Sequence, residues 1–125
     1  MEEITVFSKK SHHKIKAKLT LVIFKEDKNW IAFAPSLDVS GYGRTENEAR
    51  KSFEISVSET FSYCYQNNTL ASLLESLGWI KNKISPGIYK TPSIASKINT
   101  NSYLQEVING KDQVKLENNY ELSFA

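Results

Sequence analysis

Apolar residues occupy every second position between 15 and 23, and lysines fill the first gaps between them. A period of two is typical of a strand with one buried face. Val22 and Phe24 interrupt the polar row, which indicates that the far half of this strand is covered on both faces. The pattern predicts a strand over residues 15–24.

A turn cluster and a proline delimit the elements that follow. Residues 26–29 are charged and amide side chains typical of a tight turn, so a second strand over 30–34 should fold back as a hairpin. Pro35 cannot donate to a sheet ladder and ends that strand. A short third strand over 38–43 follows, and its two glycines mark a bend, a bulge or a close backbone approach.

A helix-start signal opens the longest helical pattern. Thr45 and Glu48 have the spacing of a capping box, in which the threonine oxygen accepts from the third helical amide and the glutamate reaches back to the cap's own amide. The predicted helix over 46–66 carries one apolar stripe: Ala49, Phe53, Val57, Phe61 and Cys64.

Three residues of this helix lie off the stripe and are candidates for contact with a second surface: Ile55, Tyr63 and Tyr65. Two asparagines at 67 and 68 end the helix. Thr69 then caps a shorter helix, which ends at Gly78 as helices often do.

The order strand, strand, strand, helix predicts a small α+β unit over residues 1–80, with three or four antiparallel strands and one main helix packed on them. Residues 1–13 are polar and predict a frayed lead-in or a short edge strand. Residues 81–125 are assigned to a C-terminal extension of short helices and a strand or hairpin. This extension packs on the core or binds a partner, and it is not clearly a separate domain.

Two short helical patterns in the extension, at 91–98 and 103–109, have the size of a DNA-reading helical hairpin. The side chains available to contact nucleic acid there are few: Lys97, Gln105 and Lys111. Glu106 would repel phosphate, so packing on the core or on a protein partner is the better interpretation. The tail over 113–124 predicts a hairpin or broken strand that extends a sheet, in its own chain or in a partner.

Charge and cysteine content narrow the class of protein only modestly. The 125 residues are most simply one domain, and a formal charge of +2 does not by itself imply a polyanionic partner. The single cysteine excludes an internal disulfide and suits a reducing compartment. Without an apolar stretch of ~20 residues or a signal-peptide core, we expect a cytoplasmic protein that does not contact a membrane.

Six residues carry a resemblance to a known family: Pro35, Gly41, Gly43, Thr45, Glu48 and Ala49. A strand that ends in proline, a glycine turn and a helix opening with G-x-T-x-x-E-A resemble the HicB family of antitoxins over residues 15–67. The resemblance implies a partial RNase H-like fold and a protein that binds and silences a small mRNA-cleaving toxin of the HicA type.

The same resemblance implies further partners. Homodimers are expected, as is repression of the operon's own promoter, which makes operator DNA a possible second partner. The family's C-terminal DNA-binding element is matched poorly here. Two other functions therefore stay open: a DNA-binding repressor acting through 91–111, and an orphan dimeric binding module.

No residue is assigned a catalytic role. RNase H-type chemistry needs carboxylates that converge on two metal ions, with an aspartate on the first strand, and residues 15–24 contain no acidic side chain. His12 and His13 would point to opposite faces of an extended strand and have no matching acidic or cysteine cluster. We expect neither a metal nor another cofactor.

Candidate partner-binding residues are aromatic or apolar: Tyr42, Tyr103, Tyr120, Leu122 and Phe124. Tyr42, between two glycines, is either exposed for recognition or packed over the glycine-flanked edge. A lysine row at positions 14, 16 and 18 suits nucleic acid or an acidic partner. Lysines on an edge strand, however, more often prevent sheet-to-sheet aggregation.

Overall fold

A computed structural model of the protein describes residues 2–9, 12–85, 87–91 and 114–124. Within these ranges it is an α+β fold of seven antiparallel strands and two helices. The elements in chain order are β1 (Glu3–Lys9), β2 (His12–Glu26), β3 (Asn29–Ala34), β4 (Val39–Gly43), α1 (Glu46–Gln66), α2 (Leu70–Ser76), β5 (Ile80–Lys81), β6 (Ile88–Lys90) and β7 (Val114–Phe124). The α+β class is confirmed, whereas three or four strands were too few.

Strand β2 organises the whole sheet. Its first half pairs with β1, where Lys9 lies opposite His12 and Glu3 lies opposite Lys18. Its second half pairs with β3, where Asn29 lies opposite Glu26 and Phe33 lies opposite Val22. Strand β7 pairs with both halves of β2, with Phe124 opposite Ile15 at one end and Val114 opposite Phe24 at the other. Because a strand has only two edges, β1 and β3 lie end to end along one edge of β2, and β7 occupies the other.

The remaining strands extend the sheet outward from these neighbours. Strand β4 pairs with β3, β6 pairs with β1, and β5 pairs with β6. The predicted first strand over 15–24 is therefore the second strand and is longer than expected. The predicted lead-in forms β1, a full sheet member with Ile4 buried in the core.

The predicted hairpin and proline stop are confirmed. Asp27, at φ 56°, makes the two-residue turn between β2 and β3. After β3, the amides of Leu37 and Asp38 both donate to the carbonyl of Ala34, at 3.1 and 2.9 Å. These bonds close the turn that follows Pro35 and lead the chain into β4.

Helix α1 begins as predicted, with one difference in its cap. The Thr45 hydroxyl oxygen accepts a hydrogen bond from the Glu48 amide at 3.1 Å. Glu48 does not return to the Thr45 amide: its carboxylate accepts from the amide of Arg44, at 3.0 Å. The glutamate therefore satisfies the donor one residue earlier, and the cap still fixes where the helix starts.

The shorter helix ends as its glycine predicts. Gly78 has φ 94°, its amide donates to the Glu75 carbonyl at 3.1 Å, and the Trp79 amide donates to the Leu74 carbonyl at 2.9 Å. This is the Schellman pattern, in which glycine takes the left-handed conformation. It turns the chain so that Trp79 is buried.

Two apolar clusters lie on the two faces of the sheet. The main core lies between the sheet and the helices, where the odd-numbered residues of β2 meet the stripe of α1. A smaller cluster on the opposite face contains Val22, Phe24 and Phe33, with Ile31 and Val114 packed against it. The prediction that the far half of this strand is covered on both faces is confirmed.

The tail extends the sheet of its own chain, as one of the two predicted possibilities. Its register with β2 shifts between Leu19 and Leu21, which face Tyr120 and Glu117. Two residues of β7 therefore stand where β2 has one, and Asn119 there has φ 59°. The predicted break in the tail is thus a bulge within one strand.

Several predictions fall on residues outside the described ranges. They are the two helices at 91–98 and 103–109 and four candidate binding residues: Lys97, Tyr103, Gln105 and Lys111. The division of the chain at residue 80 stays a prediction, although β5, β6 and β7 belong to the same sheet as the residues before it. Neither described helix is long and apolar enough to cross a membrane.

Candidate partner-binding groove beside helix α1

The three candidate binding residues of β7 face the protein's own helix. Leu122 is buried in the main core. The Tyr120 ring meets Phe53 edge to face at a centroid distance of 6.3 Å, and Phe124 meets Phe61 at 5.8 Å. These alternate side chains hold β7 to α1, so they have a structural role within the chain.

Tyr42 is exposed, which decides between its two predicted placements. Its side chain is 63 % accessible, and it lies across the strand pair from Ile31, on the sheet face away from α1. Its amide donates to the Ser52 hydroxyl of α1 at 3.1 Å. The backbone of this edge strand is therefore tied to the helix while the aromatic ring stays open to solvent.

The glycines of the family motif allow α1 to lie directly on β4. A Cβ atom at Gly41 would stand 2.2 Å from the Phe53 amide nitrogen and 2.5 Å from the Ala49 carbonyl oxygen. A Cβ atom at Gly43 would stand 2.4 Å from the Glu48 Cβ. Together with the Thr45 cap, the motif residues thus have a structural role in placing the helix.

A groove runs between the exposed flank of α1 and strand β7, and we call it the α1–β7 groove. Its volume is about 590 Å³. Its lining comes from both elements: Lys51, Glu54, Ile55, Ser58 and Glu59 of α1, and Glu121, Leu122, Ser123 and Phe124 of β7. The groove has an apolar floor and charged walls.

Carboxylates outnumber cations in this groove. Glu54 and Glu59 line it from α1 beside Lys51, the one cation among the described lining residues. Glu121 lines it from β7 and lies across from Lys18 in the strand register. The Tyr120 hydroxyl donates to the Glu54 carboxylate. Burial raises the pKa of the Tyr120 phenol, and the hydrogen bond to Glu54 and its negative charge raise that pKa further. The phenol thus stays neutral and leaves the acidic character of the groove unchanged.

Salt bridges fix the end of β7 that lies nearest the start of α1. Arg50 Nη2 lies 2.6 Å from a Glu117 carboxylate oxygen and 3.7 Å from one of Glu46. Lys115 Nζ lies 3.6 Å from the same Glu46 oxygen. These contacts join the helix to the strand before the bulge, so both walls of the groove are held in register.

The exposed flank of α1 continues beyond the groove. Ile55, Glu59 and Tyr63 follow one another at spacings of four, and therefore lie on one side of the helix. The side chains of Ile55 and Tyr63 are 58 % and 69 % accessible. Both were predicted to meet a second surface because they lie off the apolar stripe. Tyr65, the third such residue, instead packs against the core.

Sequence reasoning missed two features of the structure. The groove itself depends on β7 returning beside α1, a long-range pairing that no local pattern reveals. The second is Glu2, which is 6 % exposed even though a glutamate near a chain end is ordinarily solvated. Among the residues that the structure describes, no three His, Cys, Asp or Glu side chains are grouped to hold a metal ion.

No family model matches the chain, and no curated protein or solved structure is significantly similar to it. The resemblance to HicB antitoxins therefore rests on the motif residues alone and stays a prediction.

Proposed function

We propose that this protein is a HicB-like, antitoxin-like binding protein that inhibits a small mRNA-cleaving toxin by covering the toxin's RNA-contacting surface. The α1–β7 groove, with the adjoining Ile55–Tyr63 flank of α1, is the surface that makes the contact. The protein acts by occupying its partner and contributes no chemical step of its own. The single observation that carries the proposal is the acidic and apolar character of this groove.

Charge complementarity supports a toxin as the occupant. A protein that cleaves mRNA must hold a polyanion, and it does so with lysines and arginines that contact phosphates. Glu59 presents its carboxylate from the exposed flank of α1 to such a basic surface. A toxin seated there cannot hold RNA with the same side chains.

Exposed apolar side chains supply the second part of the argument. Interfaces are dominated by a few aromatic and aliphatic residues surrounded by a polar rim. Ile55 and Tyr63 stand open on the helix flank, and the carboxylate of Glu59 lies between them. A stable complex buries about 1,600 Å² in total, so the contact must extend along the helix flank beyond the groove.

The partner to test is the small protein encoded next to this chain, because the family resemblance implies a paired toxin. Deletion of the tail is a poor test, since β7 carries Leu122 of the core. Charge reversal on the exposed side of the groove avoids this problem. The test variant is Glu59→Lys, and the matched control is Glu75→Lys on the exposed side of α2.

Isothermal titration calorimetry of the purified neighbouring protein measures the effect. We expect Glu59→Lys to bind at least about 100-fold more weakly, since like charges across an interface cost several kcal/mol. The control should bind as the wild type does. Equal binding by the wild type and the groove variant would contradict the groove as the contact surface, and no binding by any form would contradict the pairing.

A further inference from the structure

The face of the sheet that points away from α1 carries a row of lysines. Lys14, Lys16 and Lys18 of β2 are exposed and alternate with buried residues that face the core. In the paired strand β1, Phe7 lies across from Lys14 and Thr5 lies across from Lys16. We call this surface, comprising the three lysines, Phe7 and Thr5, the lysine face.

Protection of a sheet edge does not explain these lysines. Lys16 and Lys18 have β1 on one side and β7 on the other, so both edges of the backbone are already paired. Edge lysines prevent sheet-to-sheet association only where unpaired amides and carbonyls are exposed. Lys16 and Lys18 therefore stand in the interior of the sheet, and successive lysines of the row are about 6.8 Å apart.

Nearby acidic groups neutralise this face only in part. The Glu3 carboxylate lies 3.9 Å from the Lys90 ammonium of β6, and Glu3 also lies across from Lys18 in the register of β1. Glu121 lies across from Lys18 in the register of β7. Within the described ranges, none of the three lysines has a carboxylate within 4.0 Å, so four lysines face two glutamates.

An exposed aromatic ring lies in the same row. Phe7 is 48 % accessible, and the Lys16 ammonium nitrogen stands 5.8 Å from the centroid of its ring. A shallow cavity of about 520 Å³ adjoins the row, and Thr5 and Ser123 place hydroxyl groups at it. Charge, an exposed aromatic ring and hydroxyl groups thus occur together on one face of the sheet.

We propose that the lysine face binds single-stranded nucleic acid, with phosphates on the lysines and a base stacked on Phe7. Single strands are recognised by positively charged surfaces that carry aromatic side chains, because every base offers a face for stacking. A duplex keeps its bases stacked inside and offers none to Phe7. The cavity at the lysine face shares residues 121–123 of β7 with the α1–β7 groove. The three lysines and Phe7 do not line the groove, so different substitutions test the two proposals.

Fluorescence anisotropy with a labelled oligothymidylate of about 20 nucleotides tests the proposal on the full chain. Three phosphate contacts give a slope near −2 in the logarithm of affinity against salt, or roughly 20-fold weaker binding between about 50 and 200 mM salt. The variant Lys16→Glu with Lys18→Glu should weaken binding at least about tenfold and flatten that slope. Phe7→Ala should weaken it about fivefold to 100-fold.

The control is Lys28→Glu, which makes the same charge change in the turn at the far end of β2, roughly 30 Å from Lys16. It should leave the affinity within about twofold of the wild type. Absence of binding at low salt, or an equal loss in this control, would overturn the proposal. So would tighter binding to the matching duplex. Equal binding of labelled polyglutamate, unchanged by Phe7→Ala, would assign the face to an acidic protein instead.

Discussion

The carboxylate of Glu2 accepts a hydrogen bond from the Ser36 hydroxyl at 2.7 Å, across the gap where β1 and β3 meet end to end on β2. The same oxygen accepts from the Thr20 amide at 3.0 Å. Thr20 lies between the residues of β2 that pair with β1 and those that pair with β3. Glu2 thus replaces the missing strand partner at this one position.

This arrangement predicts that Glu2 is needed for stability. Glu2→Ala leaves the buried Thr20 amide and the Ser36 hydroxyl without their acceptor, and such a loss costs about 1–3 kcal/mol. Urea unfolding followed by circular dichroism measures the change in the free energy of unfolding. The control is Glu3→Ala, which removes only a half-exposed ion pair with Lys90 and should cost less than about 1 kcal/mol. Equal losses in the two variants would contradict the bridging role of Glu2.

Close packing of α1 on β4 predicts that Gly41 tolerates no side chain. The Cβ of Gly41→Ala would collide with the Phe53 amide and the Ala49 carbonyl, and neither backbone atom can yield without moving the helix. We expect a loss of about 3 kcal/mol or more in the free energy of unfolding, at the upper end for overpacked cores.

Thermal unfolding of this variant should be compared with that of Ser40→Ala. Ser40 is the preceding residue and points to the other sheet face, where its hydroxyl bonds only to that of Tyr42. This control should stay within about 0.5 kcal/mol of the wild type. A fully stable Gly41→Ala protein would show that α1 does not lie on β4 as described.

Local signals in the sequence predicted the centre of this fold. The Asp27 turn, the stop at Pro35 and the cap at Thr45 act within a few residues, so their chemistry can be identified from the sequence alone. Pairing between strands far apart in the chain cannot, because it depends on where the chain returns. That limit explains why the sequence did not decide whether the tail extends the sheet of its own chain or of a partner. It also explains why the α1–β7 groove was not predicted.

Side-chain placement could likewise be predicted where it depends on local sequence, and could not where it depends on contacts between distant elements. That Ile55 and Tyr63 lie off the buried stripe of α1 was predicted, whereas their contact with a second surface stays a prediction. The inward side of β7 was not: Tyr120, Leu122 and Phe124 looked available for a partner because their own core contacts come from α1. Glu2 was missed because a carboxylate is assumed to be solvated until a buried donor is found for it.

Tyr120 predicts a loss of stability in alkali. Burial, and then the hydrogen bond to Glu54, raise the pKa of this phenol in the folded protein above its ordinary value. The folded state therefore holds the proton more tightly than the unfolded state, and the stabilisation is complete below about pH 10. As the pH rises above about 10, the unfolded state loses its proton first and the free energy of unfolding falls.

Tyr120→Phe removes this dependence. At neutral pH the variant should lose about 1 kcal/mol, the typical value of one hydrogen bond. Between about pH 9 and 11 its stability should fall less steeply than that of the wild type, since the other tyrosines titrate equally in both proteins. Urea unfolding at each pH gives both slopes. Parallel slopes would contradict the coupling between Tyr120 and Glu54.

Inhibition of mRNA cleavage by the neighbouring small protein tests the central claim most directly. Purified neighbour and a model mRNA are mixed with increasing amounts of this chain, and the remaining intact RNA is measured. We predict that cleavage stops at a fixed molar ratio with the wild type and with Glu75→Lys, and that it continues with Glu59→Lys. Continued cleavage in an excess of wild-type protein, or full inhibition by the groove variant, would contradict the account.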